Sequence, residues 1–145
     1  MLLHIIARGK IGRSAEGELV ERYMKRLTMP HRITEMPEAL GRNGGGKLPP
    51  APPGTVTVML DEKGRQLSSM AFAKRIGEWR DAGTRECRFL IGAADGFDDA
   101  DRAGADLLIA FGAMTWPHMM ARAMLAEQLW RACSILAGHP YHREG

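Results

Sequence analysis

Apolar residues in this chain cluster into five short runs that alternate with segments of helical spacing. Most of the runs are rich in isoleucine, valine and leucine, a pattern typical of strands covered on both faces of a sheet. They span residues 2–7, 31–36, 55–60, 87–91 and 107–111, of which the second is the weakest. Strands that alternate with helices predict an α/β fold, with a mostly parallel sheet and helices on both of its faces.

Three helices are predicted between these strands. Ser14 can cap the first, which Pro30 ends, and either Ser68 or Ser69 can cap the second, which Gly83 ends. The third is short and starts at the carboxylates of residues 98–101, which suit the positive end of a helix. The apolar positions at helical spacing are Leu19, Val20, Tyr23, Met24 and Leu27 in the first helix, and Ala73, Ile76 and Trp79 in the second.

The segment 118–137 predicts the longest helix, and its apolar face carries two side chains that can be positively charged. His118 and Arg122 are four positions apart, so they lie on the same face. An unpaired buried charge is unfavourable, so a carboxylate, a partner subunit or an anionic substrate should compensate them. They are therefore either core residues with local partners or part of a substrate site. The other residues of this face are Leu125, Ala126, Leu129, Cys133 and Leu136.

Length and composition favour one domain that spans residues 1–145. The net charge of +3 is a mild preference for polyanions and not a nucleic-acid signature. The apolar start is too short for a signal sequence, and no run approaches the roughly 20 apolar residues of a membrane span. Cys87 and Cys133 lie in apolar segments, as expected of buried thiols in a reducing compartment. We therefore expect a cytoplasmic protein without a membrane partner.

Residues 38–54 are dominated by glycine and proline and predict a flexible loop. Gly46 and Lys47 match part of a phosphate loop, but Leu48 stands where Ser or Thr is needed, and the prolines beyond it prevent a helix. The segment is either a plain surface linker or a flexible basic loop near RNA.

Three predicted strands end in small or tightly turning residues. Ligands of open α/β sheets bind at the carboxyl ends of the strands. Leu60 ends the third strand, Gly92 and Ala93 follow the fourth, and residues 112–117 follow the fifth. Small side chains there let backbone groups approach a ligand. Each glycine could simply form a turn, but three converging loops favour a binding site.

Two other kinds of site are not supported by the spacing of residues. Gly9 and Gly12 lack the rest of a dinucleotide-binding fingerprint. Cys133, His139 and His142 lack a fourth ligand, so no metal site is expected.

The last third of the chain resembles a known family. Its motifs are residues 114–118 (Met-Thr-Trp-Pro-His), Arg122, residues 127–132 (Glu-Gln-Leu-Trp-Arg-Ala) and residues 139–144 (His-Pro-Tyr-His-Arg-Glu). These resemble the end of the RlmH proteins, SPOUT-class knotted methyltransferases, and the match runs from Met1 to the C-terminus. The resemblance implies a C-terminal trefoil knot and the use of S-adenosylmethionine to methylate N3 of a pseudouridine in the 23S rRNA of the large ribosomal subunit.

The resemblance also implies roles for individual residues. The cofactor-binding residues are Leu60, Gly92, Ala93, Gly112, Ala113, Met114, Thr115, Trp116 and Pro117. His118, Arg122 and Tyr141 would bind substrate, and His142 and Arg143 would be catalytic by stabilising or accepting charge at N3. One departure concerns residues 92–96, which read Gly-Ala-Ala-Asp-Gly where the family reads Gly-Gly-Pro-Glu-Gly. Ala93 adds a methyl group and Ala94 replaces a rigid proline, and both changes bear on cofactor affinity.

The resemblance also implies a homodimer in which the partner completes the substrate site, with 23S rRNA or the assembled ribosome as the other partner. Met120, Met124 and Ile135 form an apolar stripe on the last helix, as expected of a subunit interface. Two alternatives remain: a SPOUT methyltransferase with another RNA target, and a non-catalytic RNA- or ribosome-binding protein on the same scaffold.

Overall fold

Among the residues that the structure describes, five parallel strands form one sheet in the order β2-β1-β4-β3-β5. The computed structural model describes residues 1–38, 48–93 and 96–143. The strands are β1 (Leu2–Arg8), β2 (His31–Met36), β3 (Thr55–Arg65), β4 (Glu86–Ile91) and β5 (Leu107–Ile109). The predicted parallel sheet is therefore confirmed. Most of the predicted flexible loop, residues 39–47, lies outside the described residues.

In the part of the chain that the structure describes, four helices connect or follow the strands: α1 (Ala15–Met24), α2 (Ser69–Asp81), α3 (Asp99–Ala103) and α4 (His118–Leu136). Ser14 Oγ accepts a 3.1 Å hydrogen bond from the backbone N–H of Gly17, and Ser68 Oγ accepts one of 3.0 Å from Ala71. Asp98 caps α3 in the same way. These caps satisfy N–H groups that a helix start leaves without a partner, so the sequence signals for helix starts are confirmed.

Two element ends differ from the prediction. Helix α1 ends at Met24 and not near Pro30, because Arg26 and Leu27 donate to the carbonyls three residues before them and tighten the chain out of the α-helix. Leu27 is nevertheless buried. Its apolar spacing therefore predicted correctly that it faces the core, but not that it lies outside the helix. Strand β3 continues past Leu60 to Arg65 through an irregularity in its pairing with β5, which itself ends at Ile109 and not at residue 111.

The larger part of the core lies between the sheet and α4, with α1 and α2 packed against α4. Its centre is formed by Leu3, Ile5, Val58, Phe89, Leu125 and Leu129, each 0% exposed. A smaller cluster on the other face contains Ile6, Met59, Leu90 and Phe97. Both cysteines are buried free thiols, as predicted. Within the described ranges, no helix is both long and apolar enough to cross a bilayer.

Candidate functional site

A cleft lies at the carboxyl ends of β3, β4 and β5, where the three small-residue loops meet. It contains about 820 Å³ of space outside the protein atoms, part of it open to solvent. The predicted site residues that line it are Leu60, Gly92, Ala93, Gly112, Met114, Thr115, Trp116 and His118. Ala113 and Pro117 belong to the same loop but are not among the lining residues, and Ala94 lies outside the described residues.

Close backbone approach shapes two of the loops. A Cβ on Gly92 would lie 3.2 Å from the carbonyl group of Gly96, which is tighter than ordinary contact. Gly112 has φ of +100°, a conformation that favours glycine. Trp116 Nε1 donates a 2.9 Å hydrogen bond to the carbonyl of Phe111, closing the loop after β5 over its own start. The backbone of these loops is therefore held in place beside the cleft.

Charged residues that no sequence motif marks also line the cleft. Asp61 and Glu62 follow Leu60 in β3, and Arg102 comes from α3. Arg102 Nε lies 3.1 Å from Asp61 Oδ2, and Arg102 Nη1 donates a 2.9 Å hydrogen bond to Asp99 Oδ1. The position of Asp61 directly after Leu60 could have predicted that Asp61 lines the cleft. Nothing in the sequence predicted that Arg102 would lie beside it.

His118 and Arg122, at the start of α4, both have carboxylate partners within the chain. His118 Nε2 lies 3.4 Å from Glu38 Oε1. Arg122 is 1% exposed, and its Nη1 donates a 2.6 Å hydrogen bond to Glu35 Oε2. Arg122 Nη2 donates to the carbonyls of Arg8 and Gly9 at 3.2 and 3.0 Å. Arg122 is thus a core residue with local partners, and a contact between it and substrate stays a prediction.

The environment of Glu35 shows how strongly this contact favours the ionised carboxylate. Burial by itself would raise the pKa of Glu35, but hydrogen bonds from Arg122 and from the backbone N–H of Ile11 outweigh burial and lower the pKa below its ordinary value. The contact fixes the loop after β1 and the end of β2 to α4.

Tyr141 and His142, in the tail that follows α4 (residues 139–143 of the described chain), pack on the second half of the helix instead of fraying. Tyr141 OH donates a 3.0 Å hydrogen bond to Glu127 Oε1, and Arg131 forms an ion pair with the same carboxylate. The rings of Tyr141 and Trp130 lie 5.6 Å apart between centroids. Burial and the hydrogen bond to Glu127 raise the pKa of Tyr141 to about 12. His142 Nδ1 lies 3.1 Å from Arg131 Nη1, so the tail is tied to the helix through several contacts.

The first turn of α4 lines the cleft, whereas the tail packs on the second half of the helix. His118 and Ala121 reach the cleft from its first turn, whereas Arg131 holds the tail 13 positions after His118. At 1.5 Å per residue this separation is about 20 Å along the axis. Tyr141, His142 and Arg143 are absent from the described lining of the cleft. The geometry therefore brings the predicted cofactor residues together but leaves the predicted catalytic residues elsewhere on the same chain.

Within residues 1–38, 48–93 and 96–143, no group of three or more His, Cys, Asp or Glu side chains is arranged to hold a metal ion. The arrangement of the cleft instead suits an organic ligand, because apolar side chains and exposed backbone groups line it together.

Comparison with known proteins identifies the family of this chain. Residues 1–142 match the family model described as a predicted SPOUT methyltransferase. This chain belongs to the SPOUT methyltransferase family. Relatives named ribosomal RNA large subunit methyltransferase H, from Rhizorhabdus wittichii and Zymomonas mobilis subsp. mobilis, are 70% and 66% identical to it, and each alignment covers 100% of both chains. The predicted family resemblance is confirmed over the whole chain.

A solved structure supports the fold of this SPOUT member independently. The probable methylase family protein from Haemophilus influenzae Rd KW20 superposes with a TM-score of 0.53 at 8% identity, covering 94% of this chain and 66% of that one. The chain is thus a methyltransferase, and the family implies that it binds a methyl donor. The C-terminal trefoil knot stays a prediction.

Proposed function

We propose that this SPOUT methyltransferase uses S-adenosylmethionine to methylate N3 of a pseudouridine in the 23S rRNA of the large ribosomal subunit, in the cytoplasm. The names of relatives up to 70% identical support an activity on large-subunit ribosomal RNA. The C-terminal motifs, which resemble those of RlmH proteins, support the choice of nucleotide. The single observation that supports the site assignment is that most of the proposed cofactor residues line one cleft, while Tyr141 and His142 pack on α4 outside its described lining.

The cleft fits the proposed cofactor. Leu60, Ile91 and Ile109 supply apolar walls for an adenosine, and Gly92 and Gly112 leave backbone groups accessible to its polar edges. When bound, S-adenosylmethionine supplies a methyl group that its sulfonium already activates. The protein must then align the acceptor nitrogen with that methyl group and favour the reactive form of the nitrogen.

The acceptor nitrogen sits between two carbonyls, so its proton is weakly acidic and its anion is the better nucleophile. A nearby cation would stabilise that anion. Arg143 is exposed, and His142 is held in place through Arg131. These two residues are the proposed catalytic pair, with Tyr141 and His118 contacting the substrate.

The site is proposed to be completed in a homodimer. A tail whose described residues do not line the cleft of their own chain can serve the cleft of a second copy instead. Large apolar side chains at the start of α4 and in the loop before it support such an interface: Met114 is 77% exposed, while Trp116 and Met120 are each 40% exposed. Exposed apolar surface of this kind marks interaction sites.

The decisive assay measures methyl transfer from labelled S-adenosylmethionine to intact 70S ribosomes and to bulk tRNA, with the modified nucleotide mapped by mass spectrometry. We expect label in a 23S pseudouridine. Label in tRNA alone would show a different RNA target. Binding to ribosomes, combined with no heat on titration with S-adenosylmethionine, would show a non-catalytic binding protein.

A further inference from the structure

One wall of the cleft carries a fixed arginine that the proposed chemistry does not use. Arg102 is held on two sides, by the ion pair with Asp61 and by the hydrogen bond to Asp99. Its side chain is 19% exposed and that of Asp61 is 3% exposed, so the pair is largely enclosed while still lining the cleft. The guanidinium is therefore positioned before any ligand arrives.

The guanidinium keeps one nitrogen, Nη2, available for a ligand. Its Nε faces Asp61 and its Nη1 faces Asp99, whereas none of the described residues accepts a hydrogen bond from Nη2. Arginine is suited to planar anions because its donors form a rigid fork. A fixed arginine with an unused donor in a cleft is an anion-binding group.

The carboxylates around Arg102 indicate which class of anion it can bind. Asp61 and Glu62 line the same wall, and Asp99 is paired with the guanidinium. These carboxylates would repel a phosphate dianion. They would tolerate the carboxylate of a zwitterionic amino acid, whose ammonium group they attract. The proposed methyl donor ends in such an amino acid, and its carboxylate is its only anionic group.

We propose that Arg102, oriented by Asp61, binds the α-carboxylate of the methyl donor and directs the donor's amino-acid end toward α3. This inference rests on the proposed cofactor. It makes Arg102 a determinant of cofactor selection, beyond its role as the partner of the enclosed Asp61.

The test compares two nucleosides that differ only in the carboxylate. S-adenosylhomocysteine and its decarboxylated counterpart, S-adenosyl-3-thiopropylamine, are titrated calorimetrically into the full-length protein. We expect the wild-type protein to bind S-adenosylhomocysteine roughly tenfold or more tightly, the scale of one charge-assisted hydrogen bond. The double variant Asp61→Asn/Arg102→Met should bind the two compounds equally, and it avoids leaving an enclosed carboxylate without its partner.

Two further variants separate ligand binding from structure. Arg102→Lys keeps the charge but not the fork, so it should retain only part of the discrimination between the two nucleosides. Arg80→Met is the matched control, because Arg80 pairs with Asp81 on an exposed helix end away from the cleft. It should discriminate as the wild type does. Circular dichroism confirms that each variant is folded.

The outcomes distinguish this inference from the proposed function. Equal wild-type affinity for both nucleosides, or undiminished discrimination in a folded double variant, would overturn the role of Arg102 while leaving the cofactor assignment intact. Wild-type protein that binds neither nucleoside would overturn the cofactor assignment and this inference with it. Discrimination that disappears only when Arg102 is replaced supports the inference.

Discussion

Arg122 Nη1 donates a 2.6 Å hydrogen bond to Glu35 Oε2, joining α4 to the end of β2 across 87 positions of sequence. Removing one partner of a buried ion pair leaves a charge without compensation, which typically costs about 3–5 kcal/mol. Glu35 is itself partly exposed, so we expect Glu35→Gln to lower the free energy of unfolding by about 2–3 kcal/mol, measured by urea denaturation. Arg80→Gln, which breaks an exposed pair, should change it by less than about 1 kcal/mol. Equal effects would contradict the structural role of the Arg122–Glu35 contact.

The same contact predicts a dependence of stability on pH. The pKa of Glu35 is lowered in the folded protein relative to its ordinary value of 4.5. The unfolded state therefore binds a proton more readily, so the contribution of Glu35 is fully present above about pH 4.5 and is lost as pH falls through the lower folded pKa. The difference in unfolding free energy between wild type and Glu35→Gln should shrink as pH is lowered from 6 to 3. A difference that stays constant over this range would show that the carboxylate charge is not what stabilises the fold.

The attachment of the tail can be followed through Tyr141. Its pKa is raised to about 12 by burial and by the hydrogen bond to Glu127. In Glu127→Gln the neighbouring negative charge is absent, so the pKa should fall toward the ordinary value of 10. Absorbance of the tyrosinate near 295 nm reports this titration, and Tyr141→Phe isolates the signal of Tyr23, the other tyrosine in the chain. An unchanged high pKa in Glu127→Gln would mean that the tail is not held through that carboxylate.

Subunit mixing tests whether the cleft and the tail act across two chains. Gly92→Val should block the cleft, because even a Cβ there approaches the backbone of Gly96. Arg143→Ala should disable the tail, and each variant alone should lose methyl transfer to ribosomes. A heterodimer of the two retains one cleft and one tail that are both intact, on different chains. Mixing should therefore restore up to about half of the activity per heterodimer. A folded mixed dimer without activity would show that each chain uses its own tail.

Gly64 predicts a steric limit beside the cleft. A Cβ on Gly64 would overlap the backbone of Ile109, which comes just before the loop that lines the cleft. Gly64→Ala should lower the free energy of unfolding by about 1–3 kcal/mol and weaken cofactor binding. Gly104→Ala is the matched control, because its nearest neighbour, the carbonyl of Asp101, would lie at an ordinary 3.6 Å. Similar losses in the two variants would contradict the steric explanation.

Local sequence patterns predicted the strands and helix starts because both depend on neighbouring residues. Ser14 and Ser68 cap the helices that directly follow them, and continuous apolar runs became the buried strands. The end of α1 was predicted too late because Leu27 is buried without being helical. Apolar spacing reports which residues face the core, and burial alone does not fix the backbone conformation.

The candidate site was predictable only in part. The three loops could be recognised because parallel strands place their carboxyl ends at one edge of a sheet. The partners of the charged residues could not, since Glu35 meets Arg122, and Asp61 meets Arg102, only after the chain has folded. The anomaly of a cation on the apolar face of α4 did predict that a compensating group exists, and a carboxylate of the same chain supplies it.

The length of helix α4 sets the spacing between the cleft and the tail in the proposed dimer. The helix carries the cleft at its first turn and the tail beside its second half. For two copies to exchange tails symmetrically, their α4 helices must run antiparallel, with a twofold axis near the middle of the pair. A single added helical turn would lengthen this spacing by about 5.4 Å and misalign both catalytic centres together.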